Sequence, residues 1–208
     1  TIDYCEFLDI RALGLNNHDY SYRNVIDHNY FYNFHDDPVI DKDNTAILIG
    51  GGSEDMADVD LEVQVTNNVF KACQGDAETI TNKSSSNTYR YNTFIGCRAV
   101  NLRHGQECVV DNNWWFPLEG YDSRGLGVLD GYHIISNNYF GGLTSSNNMS
   151  IVLSSGEVPK ATRGVVNARW PAHNITIIHN TIVANNGKAA LRMGTSSEGV
   201  TELVEDIV

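Results

Sequence analysis

Short strand-like segments that end near an asparagine recur along this chain. They read VIDHNYF, LEVQVTNNVF, YRYNTF, CVVDNNWW, YHIISNNYF and ITIIHNTI. These segments alternate polar and apolar positions or run apolar over about four to eight residues, which is typical of β-strands and not of amphipathic helices. The pattern predicts a protein built almost entirely from short strands.

The asparagines of these segments form a repeat, because a large apolar residue follows each of them two positions later. The aligned positions are Asn29, Asn68, Asn92, Asn113, Asn138 and Asn180, with spacings of 39, 24, 21, 25 and 42 residues. Three spacings give a period of 21–25 residues, and the other two are close to twice that period. A strand-rich repeat of this length is typical of a parallel β-helix, whose coils stack about 4.8 Å apart. We expect the asparagines to form a ladder that satisfies backbone groups at one corner.

The predicted fold is therefore all-β: a right-handed parallel β-helix of about eight or nine coils, with residues 1–208 as one domain. Loops are expected at 32–60 and 141–173, where the repeat is interrupted. Cys73 and Cys97 each lie five residues after a repeat asparagine, so we expect them to stack in the core. The chain opens without an initiating methionine or a signal peptide, and we interpret it as a mature or trimmed chain, or as a piece of a longer protein.

Composition and charge narrow the classes of function. The 208 residues are 41% hydrophobic, and 14 basic against 26 acidic side chains give a net charge of −12. A nucleic-acid-binding surface needs the opposite charge balance, so no nucleic-acid partner is predicted. No apolar run approaches the roughly 20 residues of a membrane-spanning helix, so no membrane segment is predicted either. The sequence leaves the oligomeric state open.

The distribution of charge predicts a site for an anion. Residues 1–62 carry a local net charge of −11, whereas residues 79–110 carry a local net charge of +3. Within the second range, Lys83 lies nine residues before Asn92 and Arg103 lies ten before Asn113, so the two cations occupy nearly the same place on consecutive coils. Stacked cations repel each other unless an anion lies between them. The alternative is a pair of solvated side chains.

Two carboxylates near this stretch are candidate metal ligands. Asp76 and Glu78 are two residues apart in a strand-like run, so both side chains are expected on one face. Hard oxygen ligands in such an arrangement suit Ca²⁺. A third oxygen ligand would come from the preceding coil, where Asp43 and Asn44 are available. Two carboxylates alone are also common on solvated strands.

The run DAETITNKSSSNTYRYNTFIGCRAVNLRHGQECVVDNNWW resembles the core of polysaccharide lyase family 6, which comprises alginate lyases and the dermatan-degrading chondroitinase B. The shared pattern is an acidic-x-Glu pair, then NKSS, an NxF corner and LRHG one coil later. The resemblance covers most of residues 25–145. It implies β-elimination on a uronic-acid polymer, and it favours alginate because NKSS and LRHG are similar to the alginate-cleaving members. It also implies a secreted or periplasmic protein.

The resemblance implies roles for individual residues as well. Lys83, in the NKSS position, is the base that removes the C5 proton of the uronate. Arg103, in the LRHG position, is the acid or charge stabiliser at the leaving oxygen. Ca²⁺ held by Asp76, Glu78 and Asn44 binds the uronate carboxylate, because removing a proton next to an ionised carboxylate builds a dianionic enolate.

Four further residues are candidates for contacts with the substrate: His104, Arg98, Arg124 and Trp115. His104 follows Arg103 and faces the opposite side of a strand, so packing in the interior is its alternative role. Solvated side chains are the alternative for both arginines. Trp115 lies at a corner of the repeat beside Trp114, and at least one of these two indoles is expected in the core.

The chain departs from the family at two positions that bear on substrate preference and efficiency. Asp76 stands where glutamate is usual, and Gly127 stands where many alginate-cleaving members carry an arginine. Three other functions stay open: an alginate C5-epimerase-like enzyme, a dermatan-sulfate lyase and a non-catalytic glycan-binding β-helix.

Overall fold

A computed structural model describes residues 1–35, 44–51, 54–144, 150–157, 169–183, 189–194 and 202–208. Its strands form three sheets, and strands from consecutive coils pair in parallel. Each coil adds one strand to each sheet, so the chain winds into a parallel β-helix. The fold class predicted from the asparagine repeat is confirmed.

The strands are numbered along the chain. Sheet A contains β1 (Ile2–Asp3), β4 (Val25–Asp27), β7 (Gln64–Thr66), β10 (Thr88–Arg90), β13 (Val109–Asp111), β16 (Ile134–Ser136), β19 (His173–Ile178) and β22 (Glu205–Ile207). Sheet B contains β2 (Glu6–Leu8), β5 (Tyr30–Tyr32), β8 (Val69–Lys71), β11 (Thr93–Ile95), β14 (Trp114–Phe116), β17 (Tyr139–Gly141) and β20 (Thr181–Val183). Sheet C contains β3 (Leu15–Asn17), β6 (Ile47–Ile49), β9 (Glu78–Lys83), β12 (Ala99–His104), β15 (Leu126–Val128), β18 (Ile151–Leu153) and β21 (Leu191–Met193).

The described residues form seven complete coils and the first strand of an eighth. The two long asparagine spacings explain why this number lies below the predicted eight or nine. β4 pairs directly with β7, and β16 pairs directly with β19, so each long spacing is one coil with an insertion and not two coils. Among the described residues the one helix is a short 3-10 helix (Glu54–Asp58), and no helix is long and apolar enough to cross a membrane.

The asparagine ladder is present at the corner between sheets A and B. In each step the backbone N–H of one repeat asparagine donates to the side-chain Oδ1 of the next, at 2.8–3.0 Å. The residue before each repeat asparagine is left-handed, with φ between +52° and +58°. The ladder supplies buried partners for the backbone groups of a turn that would otherwise leave them unpaired.

Stacked aromatic side chains from the inner face of sheet B fill much of the core. Phe31, Phe70, Phe94, Trp115 and Phe140 lie one coil apart, with ring centroids 4.5–4.9 Å from one another. This distance equals the strand spacing, so the coil repeat itself places the rings in an offset stack.

Cys73 and Cys97 stack on consecutive coils, as the repeat predicts. The residue after Cys97, Arg98, donates its backbone N–H to the Cys73 carbonyl at 3.0 Å, and both thiols are buried and free. Burial, and then the neighbouring Cys97, raises the pKa of the Cys73 thiol, which is therefore a packed apolar group and not a reactive thiolate.

Candidate active site

The outer face of sheet C gathers polar side chains from neighbouring coils. On β12, Asn101 and Arg103 alternate with buried residues and face outward. β9 contains an extra residue, Thr79, relative to β12, which shifts the register beside Glu78. This β-bulge turns Glu78 to the same outer face. Its Oε1 accepts a hydrogen bond from Asn101 Nδ2 at 2.5 Å.

A second register shift lies between Lys83 and Arg103. Asn82 pairs with Leu102 and Lys83 pairs with His104, so Arg103 is the extra residue of β12. Lys83 and Arg103 each follow a buried side chain and are themselves partly exposed. The structure therefore places both cations on the outer face of neighbouring coils. Their backbones are separated by about one strand spacing of 4.8 Å, and a bulge at this point re-aims the arginine.

Two glycines enclose the end of β9. Gly50, on the preceding coil, has φ +93°, and a Cβ there would lie 2.8 Å from the carbonyl oxygen of Lys83. Gly105, on the following coil, has φ +95°, and a Cβ there would lie 2.1 Å from the carbonyl oxygen of Ser84. Any side chain at either position would displace the backbone that carries Lys83.

A cleft of about 390 Å³ opens over this face and extends across the coils as far as β21. Its charged lining residues, within the described ranges, are Glu78, Arg103, Arg124, Arg169 and Arg192. Four cations against one carboxylate form a site for an anionic ligand in a protein whose net charge is −12. Lys83 is not among the lining residues.

The arginines of the cleft differ in how firmly they are held. The Nε and Nη2 atoms of Arg124 lie 2.8 and 2.5 Å from Asp122 Oδ2, and its Nη1 lies 3.5 Å from the carbonyl oxygen of Ala77. Arg192 donates from Nε to a backbone carbonyl at 3.1 Å, and Arg169 lies 3.6 Å from a carboxylate oxygen. Arg124 is thus fixed beside the start of β9.

Three candidate oxygen ligands for a cation lie near this same end of the strand. Glu78 begins β9, Asp76 lies in the bend before it, and a Cβ on Gly75 would lie 2.4 Å from the carbonyl oxygen of Asn44. Asn44 is 4% exposed, and its side-chain Oδ1 has no hydrogen-bond partner among the described residues. A buried acceptor in this state costs about 1–3 kcal/mol unless a ligand satisfies it. These residues fit a hard cation.

The fit of these residues to a cation depends on the side-chain amide oxygen of Asn44. Within the part of the chain that the structure describes, no three His, Cys, Asp or Glu side chains are grouped to hold a metal. Two carboxylates and an amide are consistent with Ca²⁺, which completes its shell with water or ligand oxygens. Asp43, the other predicted third ligand, lies outside the described residues.

The sequence also matches a known protein family. A model of the chondroitinase B family, polysaccharide lyase family 6, matches residues 10–205. The chain belongs to this family. No curated protein matches the sequence significantly.

Solved structures of family 6 lyases share the fold. A lyase from Pseudopedobacter saltans has a TM-score of 0.81 at 21% identity, over 99% of this chain and 53% of that one. A mannuronic-acid-specific lyase from human gut microbiota has a TM-score of 0.78 at 24% identity, over 99% of this chain and 46% of that one. An alginate lyase bound to a trisaccharide has a TM-score of 0.71 at 24% identity, over 85% of this chain and 42% of that one. The chain spans about half the length of these relatives.

Two predicted substrate contacts of this family 6 chain are wrong, because their side chains are buried. Trp115 is 1% exposed and stacks between Phe94 and Phe140 in the core. His104 is 2% exposed, and its ring centroid lies 4.6 Å from that of Trp170. The alternative roles, core indole and packed histidine, are the ones that the structure shows.

The two predicted arginines differ in position. Arg124 lines the cleft, whereas Arg98 does not; its Nε lies 3.3 Å from Gln74 Oε1, before β12 begins. The sequence analysis did not single out Asn101, Arg169 or Arg192, which also line the cleft. Strand alternation from Arg103 could have found Asn101. Of the other two, Arg169 lies within the interruption at 141–173 and Arg192 lies after the last repeat asparagine, so the repeat gave neither of them a register.

Proposed function

We propose that the protein cleaves a uronic-acid polysaccharide, alginate in the first instance, by β-elimination. The observation that carries the proposal is that Lys83 and Arg103 lie on neighbouring coils, beside a cleft lined by four arginines. A uronate polymer has a carboxylate on every uronate unit, so it complements such a cleft. Membership of polysaccharide lyase family 6 supports the reaction class.

In this mechanism Lys83 is the base. Its neutral amine takes the C5 proton of a uronate, and the electron pair of the C5–H bond forms a C4–C5 double bond as the C4–O glycosidic bond breaks. Arg103 stabilises the negative charge on the leaving oxygen, which becomes a hydroxyl by taking a proton from solvent or from the Lys83 ammonium. The positive charge of Arg103 also favours the neutral amine of Lys83, because two neighbouring cations repel.

Asp76, Glu78 and Asn44 would hold Ca²⁺ in this proposal. The bound ion would neutralise the carboxylate next to the proton that is removed. The Asn44 Oδ1 supports this assignment, because it is a buried acceptor without a partner in the described chain and Asn44 lies against Gly75, one residue before Asp76. Arg124, held by Asp122, lies at the same end of the cleft and would orient a second carboxylate.

Dermatan sulfate is the second candidate substrate. The matching family is described as chondroitinase B, and arginines bind sulfate as well as carboxylate. Alginate is preferred because two solved relatives are described as an alginate lyase and as specific for mannuronic acid. A C5-epimerase would share the proton abstraction by Lys83 but would return a proton to C5. Since a polysaccharide does not cross a cell membrane, the proposal places the protein outside the cytoplasm, either secreted or periplasmic.

A substrate panel tests the proposal. The protein is incubated with alginate, its mannuronate and guluronate block polymers and dermatan sulfate, each with and without a chelator, while ultraviolet absorbance of the unsaturated product is followed. Absorbance that rises with alginate and stops on chelation is the expected result. A rise with dermatan sulfate alone would refute alginate as the substrate in favour of dermatan sulfate. Activity that survives exhaustive chelation would refute the calcium role.

A further inference from the structure

The side chain of Asn101 spans three coils on the floor of the cleft. In the register of sheet C it pairs with Thr81 on β9 and with Gly127 on β15. Its Nδ2 donates to Glu78 Oε1 at 2.5 Å, and a Cβ on Gly127 would lie 2.7 Å from its Oδ1. The amide therefore occupies the space that any side chain at position 127 would need.

The orientation of this amide is set by Glu78. Within the described residues, Asn101 Oδ1 is buried and has no hydrogen-bond partner. Turning the amide over would give Oδ1 no better partner, and it would place an acceptor against the carboxylate of Glu78. The other carboxylate oxygen of Glu78 accepts a hydrogen bond from Thr81 Oγ1. Glu78 is thus held at both oxygens, and each oxygen keeps a lone pair for a cation.

We propose that Asn101 is a positioning residue that holds Glu78 for cation binding, and that glycine at position 127 is required because it leaves room for the Asn101 amide. The inference rests on the proposed calcium site for its functional meaning. The amide of Asn101 and a side chain at position 127 would compete for one space.

A double-mutant cycle on the whole protein tests the inference. Affinity is measured for Ca²⁺ by calorimetry and for Tb³⁺ by luminescence. Asn101→Ala should raise the Ca²⁺ dissociation constant about 10- to 100-fold, the usual effect of removing a partner that orients a metal ligand. Gly127→Ala should also weaken binding, because its Cβ pushes the amide off Glu78. It should cause no further loss in the Asn101→Ala background.

Val152→Ala is the matched control, because Val152 pairs with Gly127 on the next coil and lines the same cleft. Its metal affinity should equal that of the wild type. An unchanged dissociation constant in folded Asn101→Ala protein would overturn the positioning role. An equal effect of Gly127→Ala with and without Asn101 would overturn the role of the glycine.

The cycle also separates this inference from the proposed function. If the wild type binds neither Ca²⁺ nor Tb³⁺, the calcium site is refuted, and with it the positioning of Glu78 for a cation. The free energies of unfolding of the wild type, the two single variants and the double variant then test the contact between Asn101 and position 127. Coupling between Asn101→Ala and Gly127→Ala would support the competition for space, and additive effects would overturn it.

Discussion

Sheets A and C both carry charged and amide side chains, but the two sheets differ in how many of these polar groups have hydrogen-bond partners within the protein. On sheet A, Asp111 accepts a hydrogen bond from Asn137 at 2.9 Å and pairs with Arg90 at 3.0 Å. On sheet C, Asn101 keeps a buried Oδ1 without a partner in the described chain, and so does Asn44, which precedes β6 of that sheet. A closed polar network stabilises the fold, whereas buried acceptors that stay unsatisfied indicate a surface that binds a ligand.

The carboxyl of Asp111 shows the effect of the closed network. Burial alone would raise its pKa, but hydrogen bonds from Asn137, Ser136 and Asn112, together with the charge of Arg90, lower it overall. Sheet A thus satisfies its acids with its own neighbours. The cleft on sheet C is lined by four arginines and by Glu78. Although Asp122 holds Arg124 and Glu157 lies near Arg169, the cations are in excess, which distinguishes this binding face from the structural face of sheet A.

The largest expected effect comes from removing the proposed base or its partner. Lys83→Ala and Arg103→Ala should each lower kcat at least about 100-fold, the scale of acid–base catalysis. Both side chains are partly exposed, so the melting temperature should change little. The double variant should be far less impaired than the product of the single effects, because residues that act as a unit are not additive. Initial rates of absorbance increase measure all three.

Arg90→Ala is the control on sheet A, since Arg90 is a partly exposed strand arginine paired with Asp111. It should keep the wild-type kcat. Near-normal turnover by folded Lys83→Ala protein, or a loss of turnover in Arg90→Ala, would remove the functional distinction between the two faces.

A second prediction concerns the ladder that supports both faces. Asn92 is fully buried, accepts from the backbone N–H of Asn68 at 3.0 Å and donates to the Val65 carbonyl at 2.8 Å. Asn92→Ala leaves both groups unpaired and should lower the free energy of unfolding by about 2–4 kcal/mol in urea titrations. Asn180→Ala, at the half-exposed end of the ladder, should cost clearly less. Equal losses at the two positions would contradict the ladder account.

The ladder also shows why so much of the fold follows from the sequence. A β-helix corner needs the same residue type once per coil, so Asn29 through Asn180 revealed the period directly. The number of coils could not be predicted from the sequence, because a long spacing between repeat asparagines can come either from one coil with an insertion or from two coils. Trp115 was misjudged although it occupies the repeat position of Phe94, which is a core position.

The site was only partly predictable for a different reason. The repeat brought Lys83 and Arg103 together because their spacing from the ladder is almost the same. The orientation of Glu78 depends on a bulge at Thr79, and bulges arise from the register between two strands, which composition does not reveal. Contacts such as the one between Asn101 and Gly127 need that register first.

A third prediction concerns the stability of the protein in acid and the buried side chain of His133. Burial lowers the pKa of His133 to about 4. Its Nδ1 accepts the Cys108 N–H at 3.1 Å, so the ring proton is on Nε2, which donates to the Leu129 carbonyl at 3.0 Å. The unfolded chain binds a proton near pH 6.5 and the folded chain does not, so stability falls as the pH drops from about 6.5 to 4, by up to about 3 kcal/mol. Urea unfolding at pH 7 and pH 4.5 measures this loss.

His133→Gln is the comparison for that titration. It should be less stable than the wild type at pH 7, because the histidine hydrogen bonds are disturbed. Its stability should then decline less between pH 7 and pH 4.5. An identical decline in both proteins would show that other groups cause the acid sensitivity.

The smallest expected effect belongs to the closed network of sheet A. Because the pKa of Asp111 is lowered in the folded protein, its contribution is complete above the ordinary carboxyl pKa of about 4 and is lost as the pH falls further. Asp111→Asn keeps an oxygen acceptor for Ser136 and Asn137 and loses the ion pair with the half-exposed Arg90. It should therefore cost about 1 kcal/mol at pH 7 and should leave kcat unchanged. A large fall in kcat would mean that sheet A also takes part in the reaction.

The central claim is that the outer face of sheet C removes the C5 proton of a uronate and expels the C4 oxygen. Proton NMR of alginate incubated with the protein in deuterium oxide tests it most directly, with Lys83→Ala protein in parallel. The account predicts alkene signals from a C4–C5 double bond at new chain ends, no deuterium at C5 of intact sugars, and neither change with Lys83→Ala. Deuterium at C5 without chain cleavage, or alkene signals that persist with Lys83→Ala, would contradict it.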